Sequence, residues 1–226
     1  MNKRERVLVV DVETCGTRIK KVYDLGFAVV ERTTGKIIER YSLVISDVFY
    51  GRSREMKSAY YANKLPLYHA GIEAGEFDVV SLVAARDLVT CVMAVHGISK
   101  VYAYNCAFDR DALNQTVEFI SAGFVHEFFP AGTEFRDIWH LACVTIMVQK
   151  SYRTWCEAHG LVSEAGNLRT SAEACFSYIT KQVGFEEAHT GMADVEIEVR
   201  ILHHAIRQHK PLAESINRRC WVIPQG

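Results

Sequence analysis

Val7-Leu8-Val9-Val10 is an unbroken apolar, mostly β-branched run that continues as Asp11-Val12-Glu13. This pattern predicts a central strand buried on both faces and interrupted by two acids. Lys21 to Glu31, with Val-Tyr-Asp-Leu-Gly-Phe-Ala-Val-Val at its heart, predicts a second strand, Thr33-Thr34-Gly35 a tight turn, and Ile37 to Ile45 a third strand. Such short connections make the three an antiparallel meander. Apolar residues at 79, 82, 83, 89, 92, 93 and 95 predict a long helix over Val79 to His96. Lys100 to Tyr104 reads as a fourth strand, Ala107 to Ile120 as a helix, and Phe124 to Gly132 as a loop. Helices are expected over Asp137 to Val148 and over Thr170 to Gln182, the latter capped by Ser171 or Thr170. The last helix, about Thr190 to Gln208, has a buried stripe of Met192, Val195, Val199, Leu202 and Ile206. Neither repeat, low-complexity segment nor linker interrupts this order. Residues 1–226 therefore read as one α/β domain, a strand meander followed by alternating helices and strands.

Composition narrows the class. Hydrophobic residues are 49% of the 226 and charged residues 23%, which excludes a disordered, collagen-like or disulfide-built chain. Lys plus Arg total 26 against 27 Asp plus Glu, so the net charge is −1 and bulk attraction to polyanions is not expected, although a local basic groove is compatible with it. The segment Phe49 to Asp78 interleaves Arg52, Arg54, Lys57 and Lys64 with Tyr50, Tyr60, Tyr61 and Tyr68. It reads equally well as a single-strand nucleic-acid surface and as a solvated connection. No apolar run approaches the roughly 18–20 residues of a membrane span. Met1 to Arg6 is charged and leads straight into a strand rather than an h-region, so a cytoplasmic location is expected. The seven cysteines, at 15, 91, 106, 143, 156, 175 and 220, include no CxxC pair and mostly sit in apolar runs, where a thiol behaves as a small hydrophobe. Cys156 and His159 have CxxH spacing, but with no second pair nearby a packed helix face outweighs a zinc site. Asn114-Gln115-Thr116 is a chance match to a glycosylation acceptor.

Three segments carry candidate chemistry. Asp11 and Glu13 are two apart, so on a strand both carboxylates point to one side. Like charges at the end of an apolar strand repel and lose hydration, and a divalent cation resolves both problems. The bland alternative, a strand ending before Asp11 with both acids solvated, is opposed by Val12 between them. After the fourth strand, Asn105 is placed to cap the next helix and Asp109 falls in its first turn, where an acid complements the helix dipole without any further role. Near the C-terminus His189-Thr190-Gly191-Met192-Ala193-Asp194 puts a histidine before the last helix and an acid beside its buried stripe. By itself, His189 reads as a surface-loop residue.

In combination, Asp11-x-Glu13-Thr14, Asn105 to Asp109 and His189 to Asp194 resemble the DEDDh branch of the DnaQ-like 3′–5′ exonucleases. Asp137-Ile138-Trp139-His140-Leu141-Ala142 is similar to a further segment common in these enzymes. The likeness runs from Val7 to about Ile206, and the region after Trp155 (Gly166 to Arg169, Ala172 to Ala174) is similar to small phage or prophage-type members. The resemblance implies a ribonuclease H-like fold, a mixed five-stranded sheet flanked by helices. It also implies hydrolysis of phosphodiester bonds from a free 3′ end, releasing 5′-mononucleotides with two divalent ions, Mg²⁺ or Mn²⁺. Asp11, Glu13, Asp109 and Asp194 would hold the ions, and His189 would take a proton from the attacking water. Thr14, Asn105 and Phe108 would meet the terminal nucleotide, although for Phe108 a core position is the stronger expectation. The expected partner is nucleic acid, mainly single-stranded DNA; a homodimer and a replication or repair partner are left open. Three rivals are weighed: an exoribonuclease or oligoribonuclease using the same residues, a nucleic-acid-binding module without turnover, and a metal-dependent phosphatase on another scaffold, whose His-rich ligand sets the nine histidines do not form. The presence of all five functional side chains opposes the second.

Overall fold

The computed structural model describes residues 5–16, 18, 20–210, 212, 216, 219 and 221–224. The reading of the first four residues and that of the cysteine at 220 lie outside the described residues. Three long strands, β1 (Arg6–Cys15), β2 (Lys21–Glu31) and β3 (Lys36–Ile45), form the expected antiparallel meander. Three short strands extend it with parallel pairing: β4 (Asp78–Val80) beside β3, β5 (Lys100–Ala103) beside β1, and β6 (Glu134–Asp137) beside β5. The spatial order is β4-β3-β2-β1-β5-β6. The fold is the expected ribonuclease H-like class, with six strands in place of five.

The helices are α1 (Ser46–Phe49), α2 (Ser53–Met56), α3 (Leu65–Ala74), α4 (Leu82–His96), α5 (Cys106–Ile120), α6 (Ile138–Ala142), α7 (Lys150–Ala158), α8 (Ala172–Thr180) and α9 (Gly191–Ile206). A 3₁₀ turn, Ala62–Lys64, precedes α3, and a π turn, Cys143–Met147, follows α6. Several boundaries differ from the sequence expectation for local reasons. The stretch read as the start of one helix at Val79 is β4, and Ser81 then caps α4 by accepting from the Ala84 N–H. Asp137, expected within a helix, closes β6 and caps α6, its carboxylate accepting from His140 N–H at 3.1 Å. Ser171 caps α8 as expected, accepting from Ala174 N–H.

Two cores lie on opposite faces of the sheet. Strand alternation sends Leu8, Val10 and Val12 into the core beneath α4 and α5, and Val7 and Val9 into the core beneath α6 to α9. The odd-numbered face of β1 continues through Asp11 and Glu13, so both acids are delivered to the α9 side. Buried Cys15, Cys106, Cys143, Cys156 and Cys175 pack as small hydrophobes, and no disulfide occurs among the described residues. Likewise His159 stacks on Trp155 instead of pairing with Cys156 around a metal. None of the described helices is long and apolar enough to cross a membrane.

Candidate active site

The C-terminal ends of β1 and β5 open onto a cavity of about 590 Å³, over which α9 lays its N-terminal turn. Its lining includes Asp11, Glu13 and Thr14 from β1, Phe108 from α5, His189 from the loop before α9, and Asp194 from α9. Asp109 lies behind this lining, 3% exposed, in the first turn of α5. Backbone N–H groups of Val12 and of Asp109 itself hold its carboxylate, which ties the start of α5 to β1.

The placement of α9 depends on a close approach of backbones. A Cβ on Gly26 of β2 would stand 2.1 Å from the Gly191 carbonyl carbon, and one on Gly191 would stand 2.4 Å from Gly26 N. Only residues without Cβ let the helix start rest on the strand. No side chain of the preceding loop caps α9; the carboxylate of Asp24 on β2 does so from across the sheet, accepting from Gly191 N–H at 2.9 Å and from the Tyr68 hydroxyl at 2.5 Å. An anion at a helix N-terminus also complements the helix dipole. This contact brings Asp194 down onto Asp11 and Glu13.

One ligand atom each of Glu13, His189 and Asp194 lies within 4.8 Å of the others, a grouping able to hold a metal ion. The acids hold their protons strongly. Burial, and then the charge of Asp194, pushes Glu13 up to about 9. Burial, and then Glu187, raises Asp194 to about 7. Asp11 is raised well above the usual carboxylate range by burial and then by Glu198, Asp109, Asp194 and Glu13. Carboxylates packed in this way become stable as anions beside a cation or enough hydrogen-bond donors. Asp194 Oδ1 and Glu198 Oε2 are buried without a hydrogen-bond partner among the described residues, as acceptors awaiting a ligand are. The donor set of this grouping, two carboxylates and one imidazole, is one that divalent metal ions take.

His189 occupies the mouth, with φ +51°, in a left-handed conformation rare outside glycine. Its ring stacks on Tyr61 with centroids 4.5 Å apart and planes at 19°. Lys64 donates to the carbonyl of neighbouring Ala188 and lies over the Tyr61 ring. Burial and then the Lys64 charge lower the His189 pKa, which favours the neutral ring. The segment Phe49 to Asp78 thus divides: Tyr60 and Tyr61 line the cavity and Lys64 lies over Tyr61, whereas Tyr68 is fully buried against Asp24.

Two expectations are corrected. Phe108 is not a core residue; it is 38% exposed and faces the cavity. Asn105 occupies the cap position of α5 with φ +65°, but its side chain makes no cap hydrogen bond and it is not among the cavity-lining residues. The capping is done instead by Asp137, whose Oδ2 accepts from Cys106 N–H at 3.2 Å. Sequence reasoning missed Tyr104 and Trp139, stacked at 5.5 Å on one wall, and Glu198 on α9, all of which line the cavity. A second cavity of about 650 Å³ adjoins the first, shares Thr14, Lys20 and Tyr60 with it, and adds Arg18 and Lys21.

The sequence matches no protein-family model and no curated protein. Solved structures do resemble it. E. coli Exonuclease I in complex with a 5cy-dT13 oligonucleotide aligns with a TM-score of 0.55 at 12% identity, covering 92% of this chain and 41% of that one. The complex of the same enzyme with a dA16 oligonucleotide gives 0.51 at 14%, covering 96% and 42%. Its zinc-bound form with single-stranded DNA gives 0.51 at 14%, covering 92% and 41%. The chain spans about two fifths of the length of these proteins, and at such identity the likeness is one of fold.

Proposed function

We propose that residues 1–226 form one metal-dependent 3′–5′ exonuclease domain of the DnaQ-like, DEDDh type, acting mainly on single-stranded DNA and releasing 5′-mononucleotides. One observation carries the reading: Asp11, Glu13, Asp109, Asp194 and His189, far apart in sequence, gather at one cavity in a fold like that of Exonuclease I. The phage-type placement rests on the segments after Trp155 alone.

Asp11, Glu13, Asp109 and Asp194 would hold two divalent ions, Mg²⁺ or Mn²⁺. When bound, such ions neutralise phosphate charge and favour formation of both the attacking and the leaving oxygen anions. The remaining work belongs to side chains. His189, neutral and fixed against Tyr61, accepts the proton of the attacking water. The oxygen of that water attacks phosphorus, the bond to the 3′ oxygen breaks, and the released mononucleotide keeps a 5′-phosphate. Thr14 and Phe108 flank the terminal nucleotide. Tyr60, Tyr104 and Trp139 offer ring faces to unstacked bases, a mode of binding open to single strands and tolerant of sequence. The strand would leave past Thr14, Lys20 and Tyr60 into the second cavity, where Arg18 meets phosphate while Lys21 stays buried on Glu55.

The test supplies 5′-labelled single- and double-stranded DNA and RNA with Mg²⁺, Mn²⁺ or EDTA, beside Asp11→Asn. The expected result is a metal-dependent ladder shortening from the 3′ end, fastest on single-stranded DNA and absent in the variant. A ladder that survives in EDTA or in Asp11→Asn overturns the assignment; a faster ladder on RNA moves the substrate to the ribonuclease class.

A further inference from the structure

Helix α9 presents two acids to the cavity where the sequence motif accounts for one. Asp194 and Glu198 are four residues apart, about 6 Å along the axis and on the same face. Glu198 is 2% exposed and lines the same cavity as Asp11, Glu13 and Asp194. Its carboxylate takes a backbone hydrogen bond from Tyr104, yet Oε2 remains buried with no partner among the described residues. Its neighbours are acids: of the charges acting on Asp11, Glu198 is the strongest, and of those acting on Glu198, Asp109 is the strongest. A structural glutamate at such a depth is paired with a cation or fully hydrogen-bonded; this one is neither. Glu198 lies outside the grouping of Glu13, His189 and Asp194 at the mouth. One turn deeper on the helix, it addresses a different position, beside Asp11 and Asp109.

We propose that Glu198 is a fifth carboxylate of the cation site and holds an inner divalent ion with Asp11 and Asp109, so that the chain binds this ion before nucleic acid arrives. This rests on the two-ion reading above. Four carboxylates hold hydrated Mg²⁺ weakly until a substrate phosphate completes the shell. A fifth anionic oxygen, already desolvated and aimed at the inner position, shifts that balance toward binding by the free protein.

The experiment titrates metal-free chain with Mn²⁺ in the absence of nucleic acid, following free Mn²⁺ by electron paramagnetic resonance. Wild type, Glu198→Gln, Glu13→Gln and Asp11→Asn are compared. Wild type is expected to bind two ions, and Glu198→Gln to lose one or bind it roughly 10- to 100-fold more weakly, whereas Glu13→Gln affects the other. A Glu198→Gln isotherm that superimposes on wild type overturns the proposal while leaving the two-ion reading intact. Wild type binding no more Mn²⁺ than Asp11→Asn overturns both. Thermal unfolding in EDTA separates a structural role: Glu198→Gln removes one buried ionisable group from a crowded cluster of acids and is expected to melt at or above the wild-type midpoint. A midpoint well below it makes Glu198 a folding residue and removes it from the cation site.

Discussion

The imidazole of His189 is held by a ring and by a backbone anchor, and each support makes a separate prediction. Its left-handed backbone costs on the order of 1–2 kcal/mol, compensated by the Tyr61 stack and the tether from Lys64 to Ala188. If His189 is the base, His189→Ala lowers kcat about 10²- to 10⁴-fold with KM nearly unchanged; turnover near wild type between about pH 6 and 9 would remove that role. Tyr61→Leu leaves the base in place but unaligned, and a loss of roughly 10-fold in kcat is expected, because misplacement by about 1 Å costs up to 10²-fold. Lys64 also acts through charge. Burial is the larger cause of the low His189 pKa and Lys64 the next, so Lys64→Met raises that pKa. The acidic limb of the kcat–pH profile then moves to higher pH; an unmoved limb would show that Lys64 acts as a tether only.

At the scale of elements, the contact between β2 and α9 sets the site. Gly26→Ala places a methyl 2.1 Å from the Gly191 backbone, where no flexible side chain can give way. Overpacking of this kind costs about 1–3 kcal/mol, and here the displacement is borne by the helix carrying Asp194. The variant is therefore expected to lose activity and Mn²⁺ affinity well beyond its loss of thermal stability. A variant that is destabilised yet fully active would show that α9 need not rest on the strand. This contact was invisible in the sequence, because nothing local to Gly26 or Gly191 announces a partner some 165 residues away. By contrast the acids of β1 were legible, since two charges of equal parity inside a β-branched run violate the pattern that surrounds them. Asp194 was legible for a related reason, its adjacency to the Met192/Val195 stripe. Glu198 escaped because the alternation Val195-Glu196-Ile197-Glu198-Val199 looks like solvated glutamates between core residues, although Glu196 pairs with Arg40 at the surface and Glu198 is buried. The strands β4 and β6, three and four residues long, were too short for alternation to register. Phe108 was misplaced because one aromatic in a helical first turn gives no sign of which way the cavity lies.

The whole molecule carries a net charge of −1, so the nucleic-acid affinity proposed above has to come from a local groove rather than from the overall field. If Arg18, Lys20 and Lys64 are its phosphate contacts, single-strand binding should weaken with salt at a log–log slope no steeper than about −2, three contacts at roughly 0.7 each. A much steeper slope would place the strand elsewhere. Folding stability is tied to the same cluster of acids with the opposite electrostatic sign. Glu13 is raised to about 9 and Asp194 to about 7, burial being the first cause in each, and Asp11 and Glu198 are raised as well. Between the ordinary carboxylate range near 4 and these values, the folded chain binds more protons than the unfolded one. Their contribution to stability is therefore complete below the unfolded values and is lost as pH rises through the folded ones. In EDTA the thermal midpoint should fall from about pH 5 to 9, and Glu13→Gln should flatten that fall. If the cluster holds a divalent cation as proposed, the ion binds its deprotonated form and reverses the loss. At 100 times its Kd it adds about 2.7 kcal/mol, or roughly 5–10 °C at about 2–4 °C per kcal/mol for a chain of this size. Mn²⁺ should therefore raise the midpoint strongly near pH 8.5 and little near pH 5.5. A midpoint insensitive to Mn²⁺ at both values, with Glu13→Gln tracking wild type throughout, would mean that the acids do not share a common cation.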